Sequence, residues 1–244
     1  MNSQTLRIAT WNLDHPKPGS WQKTPAILQQ IEAINADVWI LTETNNKAVD
    51  LAAKGYEKFT SIEYTDKGLE QNAYTTIWSR LQAPTQIIKT FDPDLSVCIK
   101  VSQPIDLMIY GTIITWHGDR GSDGTSKSWE EHYRSIQHHG DDWSRLIQEY
   151  SDHKLLVAGD FNQARDGSRW YGTQKGIDLL TAQLDRNHLV CLTDQIQPTN
   201  RGNVDHVCIS QDLQPFCTAS FWNNISDQGV KLSDHNGVFI DLSF

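Results

Sequence analysis

Polar residues able to do chemistry recur at the ends of strand-like runs throughout this 244-residue sequence. Thr10-Trp11-Asn12-Leu13-Asp14 follows LRIA, and alternation along an extended strand places Asn12 and Asp14 on one face. Leu41-Thr42-Glu43 closes VWIL, and Thr115-Trp116-His117 closes a long apolar run. Gly159-Asp160-Phe161-Asn162 again sets two polar side chains at i and i+2. Val204-Asp205-His206 and Ser233-Asp234-His235-Asn236 complete the series, the latter just before the last strand. Apolar strands seldom end repeatedly in Asn, Asp, Glu and His unless those ends converge.

Hydrolysis of a phosphoester calls for this inventory. The substrate is anionic and repels hydroxide, so a hard cation must neutralise charge and polarise the phosphoryl oxygen. Mg²⁺ and Mn²⁺ prefer carboxylate, amide and water oxygens, which Asn12, Asp14, Glu43 and Asp234 supply. The attacking water needs a carboxylate or an imidazole to orient and deprotonate it. An imidazole does so only when its other nitrogen is held.

Each piece alone has an ordinary structural reading. Asn12 and Asp14 could be turn formers leaving a strand, and Glu43-Thr44-Asn45 could cap a helix. Gly159-Asp160 could be a turn that needs glycine, and a lone His235 could be structural. Their joint occurrence in one chain favours the catalytic reading.

TWNLD, LTET, TWH, AGDFN, VDH and LSDH, in this order, resemble the endonuclease/exonuclease/phosphatase superfamily, relatives of deoxyribonuclease I, from Ile8 to Leu242. The resemblance implies a four-layer α/β sandwich: two mixed β-sheets flanked by helices, with the catalytic residues at one rim. It implies Glu43 as principal metal ligand with Asn12 beside it, Asp14 at the metal or its water, and Asp234 on the metal side. Asp160 would orient or activate the water, Asn162 would hold the phosphate, and His235 would contact the phosphate or act as base, oriented by Asp205. Asp160 and His235 therefore compete for the role of base. His117 resembles the second catalytic histidine of the deoxyribonuclease I branch, with Glu70 or Asn72 as candidates to steady it. The implied cofactor is Mg²⁺ or Mn²⁺.

The sequence departs from abasic-site endonucleases of that superfamily, which carry Tyr at the position of His117 and Trp shortly before the aspartate matching Asp205. A general phosphodiesterase or nuclease acting on DNA or RNA fits better than a dedicated abasic-site pocket. Hydrolysis of a small phosphoester (a phospholipid head group, a sugar or nucleotide phosphate) is the alternative, and a catalytically silent binding module on the same fold is a third. Arg120, Arg165, Arg169 and Arg201 stand near motif ends and could grip phosphate, and Trp170-Tyr171 could stack on a base or sugar.

These groups need a scaffold. Strand-like runs begin at Leu6, Ala36, Ala73, Asp106, Lys154, His188, Val204 and Asn236, with SVCIKV around Cys98 as a further β-like run. Helical periodicity appears over Pro25–Ile34, with Thr24 as N-cap, over Trp129–Tyr150, with a solvated break at His138-His139-Gly140, and over Thr173–Arg186. Many strands follow strands directly, which predicts an α/β sandwich of mixed sheets rather than a doubly wound fold. Trp11, Trp39, Trp78 and Trp116 read as core, His206 as packed on the face opposite Asp205, and Gly118–Lys127 as a surface loop over a site.

A hydrophobic fraction of 38% with nine Trp excludes whole-chain disorder. The net charge of −9 argues against a protein held on nucleic acid by a broad basic surface, while a bound cation and a few local basic groups would serve a cleft. The four scattered cysteines predict buried free thiols rather than a zinc site. No run approaches the roughly 18 apolar residues of a membrane span. The expectations are one domain over residues 1–244, a cytoplasmic location, a phosphoester partner that is nucleic acid by preference, and no obligate protein partner.

Overall fold

Alternation along β1 (Thr5–Asn12) divides its side chains between two cores, and the same division, repeated strand by strand, builds the layers. Leu6 and Ile8 face a second sheet, whereas Ala9 and Trp11 face a helix. The computed structural model describes residues 4–81, 85–198 and 202–244. After β1 come α1 (Lys23–Ile34), β2 (Val38–Asn45), β3 (Glu57–Thr60), β4 (Tyr64–Asp66) and β5 (Leu69–Ser79). Then follow β6 (Gln86–Ile88), β7 (Ser96–Val101), β8 (Leu107–Ile113), α2 (Glu130–Glu149), β9 (Lys154–Asp160) and α3 (Gln174–Arg186). β10 (Leu189–Cys191), β11 (Asp205–Ser210), β12 (Cys217–Trp222) and β13 (Gly237–Ser243) close the chain.

One sheet runs β12-β13-β1-β2-β5-β3, with β4 also on β5, and the other runs β10-β11-β9-β8-β7-β6. Both are mixed: β1–β2 and β8–β9 are parallel, and the remaining pairs are antiparallel. Ile8, Ile40 and Ile77 of the first sheet meet Ile109, Leu156 and Val207 of the second in the central core. The outer face of the first sheet packs on α1 through Trp11, Trp39 and Ile31. The outer face of the second packs on α2 and α3 through Tyr110, Trp143 and Leu180. The result is the expected four-layer α/β sandwich. At Gly111 the sheets come so close that a Cβ would lie 2.8 Å from Ile40 Cγ2, so only glycine fits without a shift.

Several local expectations are corrected. Thr24 does not cap α1; it lies inside the helix, buried, and its hydroxyl donates to the Lys17 carbonyl at 3.1 Å. α2 runs unbroken through His138-His139-Gly140: His138 is exposed, but His139 and Gly140 meet packed neighbours rather than solvent. Gly140 is where α3 presses in: its carbonyl accepts from Asn187 Nδ2 at 3.0 Å, and a Cβ there would collide with Gln183. His139 is fully buried, and buried Asp142 accepts the Tyr110 hydroxyl (3.1 Å) and pairs with Arg145 (2.7 Å). The long run from Asp106 ends at Ile113, so Thr115-Trp116-His117 lies in a loop and Trp116 is 55% exposed. Thr173, read as the first residue of the third helix, is instead its cap, accepting from Gly176 N–H at 3.0 Å. Cys98, Cys191 and Cys208 are buried and Cys217 partly so, all as free thiols. Among the described residues no helix is long and apolar enough to cross a membrane.

Candidate active site

The parity that sends Leu6 and Ile8 inward also sends Asn12 inward, at the end of β1. The same rule carries Asp160 after Leu156 and Ala158 on β9, and Asp205 ahead of Val207 and Ile209 on β11. Asp160 and Asp205 are direct partners across the antiparallel β9–β11 pair. Two carboxylates so placed repel unless other groups intervene, and Asn12 from the opposite sheet intervenes. Its Nδ2 donates to Asp160 Oδ2 at 3.0 Å, and its backbone N–H donates to Asp205 Oδ1 at 3.0 Å.

His235 arrives on the segment before β13. The Ser233 hydroxyl donates to the Asn12 carbonyl at 2.6 Å and accepts the His235 N–H at 3.0 Å, while Trp11 Nε1 donates to the His235 carbonyl at 3.0 Å. So anchored, the imidazole sets Nδ1 2.6 Å from Asp205 Oδ2 and Nε2 4.0 Å from Asp160 Oδ2 and 3.8 Å from Asp234 Oδ1. Burial opposes its charged form, but Asp205, Asp160 and Asp234 outweigh it and raise the pKa to about 10. Burial, reinforced by Asp205 and Glu43 and partly offset by His235, pushes the Asp160 carboxyl up to about 7. Asp160 also accepts the Asn162 N–H at 2.8 Å, while Asn162 Nδ2 donates to the Ile114 carbonyl at 3.0 Å.

Backbone strain gathers here. Strand alternation would send Glu43 outward with Trp39 and Leu41, yet it lines the same cleft as Asp160; its φ of 44° breaks the alternation. Asn162 adopts φ 48°, and Gly159 adopts φ 142°, where a Cβ would lie 1.8 Å from the Thr112 carbonyl oxygen. The cleft, about 230 Å³, is lined by Glu43, Asp160, Asn162, Asp234 and His235, with Trp116, Trp170, Tyr171 and Val204 as its walls. A larger cavity of about 490 Å³, at Lys154, His188 and Asp212, includes none of these groups.

The structure thus brings together Asn12, Glu43, Asp160, Asn162, Asp205, Asp234 and His235. Asp14 is not among them: β1 ends at Asn12, Asp14 turns away at φ 51°, and its carboxylate pairs with Lys23 at 2.9 Å. His15 is nearer the site, with Nε2 3.3 Å from Glu43 Oε2, and no spacing in the sequence points to it. His117 is steadied by neither Glu70 nor Asn72; its Nδ1 lies 2.7 Å from the Tyr171 hydroxyl, and Asn72 is bonded to Asn45. Arg120 donates to the Ser126 carbonyl and Arg165 to the Thr181 hydroxyl, and neither lines the cleft. Arg169 reaches toward Gln174, and Arg201 lies outside the described residues. His206 is buried on the face opposite Asp205 and bonds Thr193 and the Gln163 carbonyl. Trp116, read from sequence as core, is instead a cleft wall.

Residues 9–235 match the profile of the Endonuclease/Exonuclease/phosphatase family. No curated protein matches the sequence. The AP endonuclease LMAP from Leishmania major superposes with a TM-score of 0.72 at 14% identity, over 98% of this chain and 88% of that one. An AP endonuclease from Archaeoglobus fulgidus gives 0.68 at 14% identity, over 96% and 98%. The human Nocturnin catalytic domain, bound to a sulfate anion, gives 0.65 at 15% identity, over 99% and 97%. At these identities the three structures speak for the shared fold alone.

Proposed function

The chain belongs to the Endonuclease/Exonuclease/phosphatase family, and on that premise we propose that it is a phosphodiesterase that cleaves nucleic acid with Mg²⁺ or Mn²⁺. The observation that carries this reading is the file of Asp205, His235 and Asp160, at 2.6 and 4.0 Å, of which His235 and Asp160 line an aromatic-walled cleft with Asp205 buried behind them.

The residues fit a hard divalent cation. Asp160, Asp205 and Asp234 surround the His235 imidazole, and Glu43 lines the same cleft; burial first, and then the neighbouring carboxylates of Asp205 and Glu43, raise the Asp160 pKa. Glu43 and Asp234 would hold the ion, with Asp160 adjoining. When bound, such an ion neutralises phosphate charge and polarises the phosphoryl oxygen.

Asp205 fixes His235 through Nδ1 and keeps the ring cationic, so Nε2 donates a hydrogen bond to a non-bridging oxygen of the substrate. An imidazolium cannot take a proton. That role falls to Asp160, a buried carboxylate whose proton affinity burial raises above the ordinary carboxylate range. Asn12 donates to Asp160 Oδ2 and the Asn162 N–H to Oδ1, and together they orient the carboxylate for the attacking water. Trp116 and Trp170, 55% and 40% exposed, offer faces on which unpaired bases stack.

One observation favours a second reading. Among the described residues no Arg or Lys lines the cleft, and the net charge is −9; both suit a nucleotide-sized phosphoester better than a long duplex. A panel of plasmid, single-stranded DNA and RNA, and mononucleotides, run with Mg²⁺, Mn²⁺ or chelator, separates the two. Hydrolysis of single strands that chelator abolishes is the expected result. Turnover confined to mononucleotides would establish the second reading, and no turnover on any substrate would leave a binding module.

A further inference from the structure

We propose that the hydroxyl of Tyr171 is a catalytic group, donating a hydrogen bond to the leaving oxygen of the scissile ester, and that His117 is the residue that positions it. The proposal deepens the phosphodiesterase reading and rests on it.

Tyr171 lines the cleft alongside Asp160 and His235, whereas His117 is absent from that lining and reaches it through the 2.7 Å contact between its Nδ1 and the Tyr171 hydroxyl. Both partners are held from several directions. The His117 ring lies 5.3 Å from Trp129 and 5.1 Å from Trp116, and its carbonyl accepts the Trp129 N–H at 3.0 Å and the Ser128 hydroxyl at 3.2 Å. The Tyr171 ring stands edge-on to Trp129 at 5.4 Å, and its carbonyl accepts the Ala164 N–H at 2.8 Å. Such bracing is unneeded for a ring that serves only as an apolar wall.

The chemistry of the cleft leaves this place for a neutral donor. In-line hydrolysis builds negative charge on the leaving oxygen as the P–O bond breaks, and a donor aimed there lowers the barrier. No Lys or Arg lines the cleft among the described residues, and His235 is committed to Asp205 through Nδ1 and, in the proposed reaction, to a non-bridging oxygen through Nε2. With hydrogen on His117 Nδ1, that nitrogen donates to the phenol oxygen and leaves the phenol hydrogen free for the substrate. Burial raises the Tyr171 pKa, against a backbone hydrogen bond with His117 that lowers it and with a smaller lift from the Asp160 carboxylate, so the phenol stays protonated.

The test uses the full chain with Mg²⁺ and two phosphodiesters that share a nucleoside but differ in leaving group. One releases p-nitrophenolate, a stable anion; the other is a dinucleotide that releases a sugar alkoxide. Tyr171→Phe keeps the ring and its packing. It should lower kcat about 100-fold on the dinucleotide but about twofold or less on the p-nitrophenyl ester, the pattern of a lost donor at the leaving oxygen. His117→Ala should show the same selectivity at smaller size, His117→Asn should restore part of it, and the double variant should be no worse than Tyr171→Phe alone. Equal losses on both esters, or full activity of Tyr171→Phe with an unchanged unfolding midpoint, would overturn the proposal while leaving the phosphodiesterase intact. A parent chain inactive on both esters would bring down the phosphodiesterase reading and this inference together.

Discussion

Asp205 Oδ2 receives His235 Nδ1 at 2.6 Å while Oδ1 of the same carboxylate receives the backbone N–H of Asn12 at 3.0 Å. A single buried side chain on β11 therefore joins the end of β1, in the opposite sheet, to the segment entering β13. The site is a joint between the sheets as well as a reaction centre, and its charge and its architecture cannot be altered separately.

Asp205→Asn tests that coupling. The amide preserves size but removes the charge that overcomes burial and holds His235 cationic. Turnover should fall by about 10³-fold, as when a histidine loses its orienting carboxylate, with KM little changed. Steady-state kinetics on a single-stranded oligonucleotide check this. Activity within a few-fold of the parent would remove His235 from the role assigned here.

The acid side of the stability curve should report His139, which lies away from the site. Burial lowers its pKa to about 3, against about 6.5 in an unfolded chain. The folded state therefore refuses a proton that the unfolded state accepts, and stability falls as pH drops from about 6.5 toward about 3. The slope from this group is at most about 1.4 kcal/mol per pH unit. His139→Gln should flatten that limb of the urea-denaturation profile, and parallel curves for variant and parent would contradict the assignment.

Much of this was legible in the chain because the strands obey period two. Leu6, Ile8 and Asn12 share a parity, as do Leu156, Ala158 and Asp160, so alternation alone aims Asn12 and Asp160 at one space. Reading failed where the backbone breaks period. Asp14 was placed beside Asn12 by continuing a strand that stops at Asn12, and Glu43 reaches the cleft through a left-handed residue that alternation does not foresee. Contacts between segments far apart were equally hidden. Nothing in the spacing of His117 and Tyr171 announces that they touch, and the apolar run before Trp116 disguised its exposure. The polar letters of His138-His139-Gly140 hide that His139 faces Tyr110 and Thr112 of β8 and Gly140 faces α3, while His138 alone is exposed.

Gly159 makes a stability prediction that the neighbouring glycine Gly167 can control. Both have positive φ, 142° and 77°, but a Cβ at Gly167 meets nothing within 4 Å, whereas one at Gly159 lands 1.8 Å from the Thr112 carbonyl oxygen. Gly167→Ala should cost about 1 kcal/mol, from conformation alone. Gly159→Ala should cost about 3 kcal/mol or more, because β8 and β9 must separate where they deliver Asp160. Thermal unfolding of the two variants measures the difference, and equal midpoints would refute the clash.

The exposed tryptophans decide what the cleft recognises. Trp170 follows Asn162 on the loop leading to α3 and forms one wall, with Trp116 also in the lining. If Trp170 stacks on a base, Trp170→Ala should raise KM for a single-stranded oligonucleotide by about tenfold, the loss of one base–aromatic contact. Its kcat should hold, since the ring takes no part in proton transfer. A small p-nitrophenyl phosphodiester lacking a base should keep its KM in the same variant. Gly202 supplies a check on the fold, because a Cβ there would meet Trp170 Cβ at 2.7 Å, showing that the loop before β11 packs on this residue. Trp170→Phe retains a stacking face and should recover most of the affinity. If Trp170→Ala instead lowers kcat on both substrates with KM unchanged, Trp170 shapes the position of Tyr171 rather than binding a base, and the nucleic-acid reading loses its aromatic support.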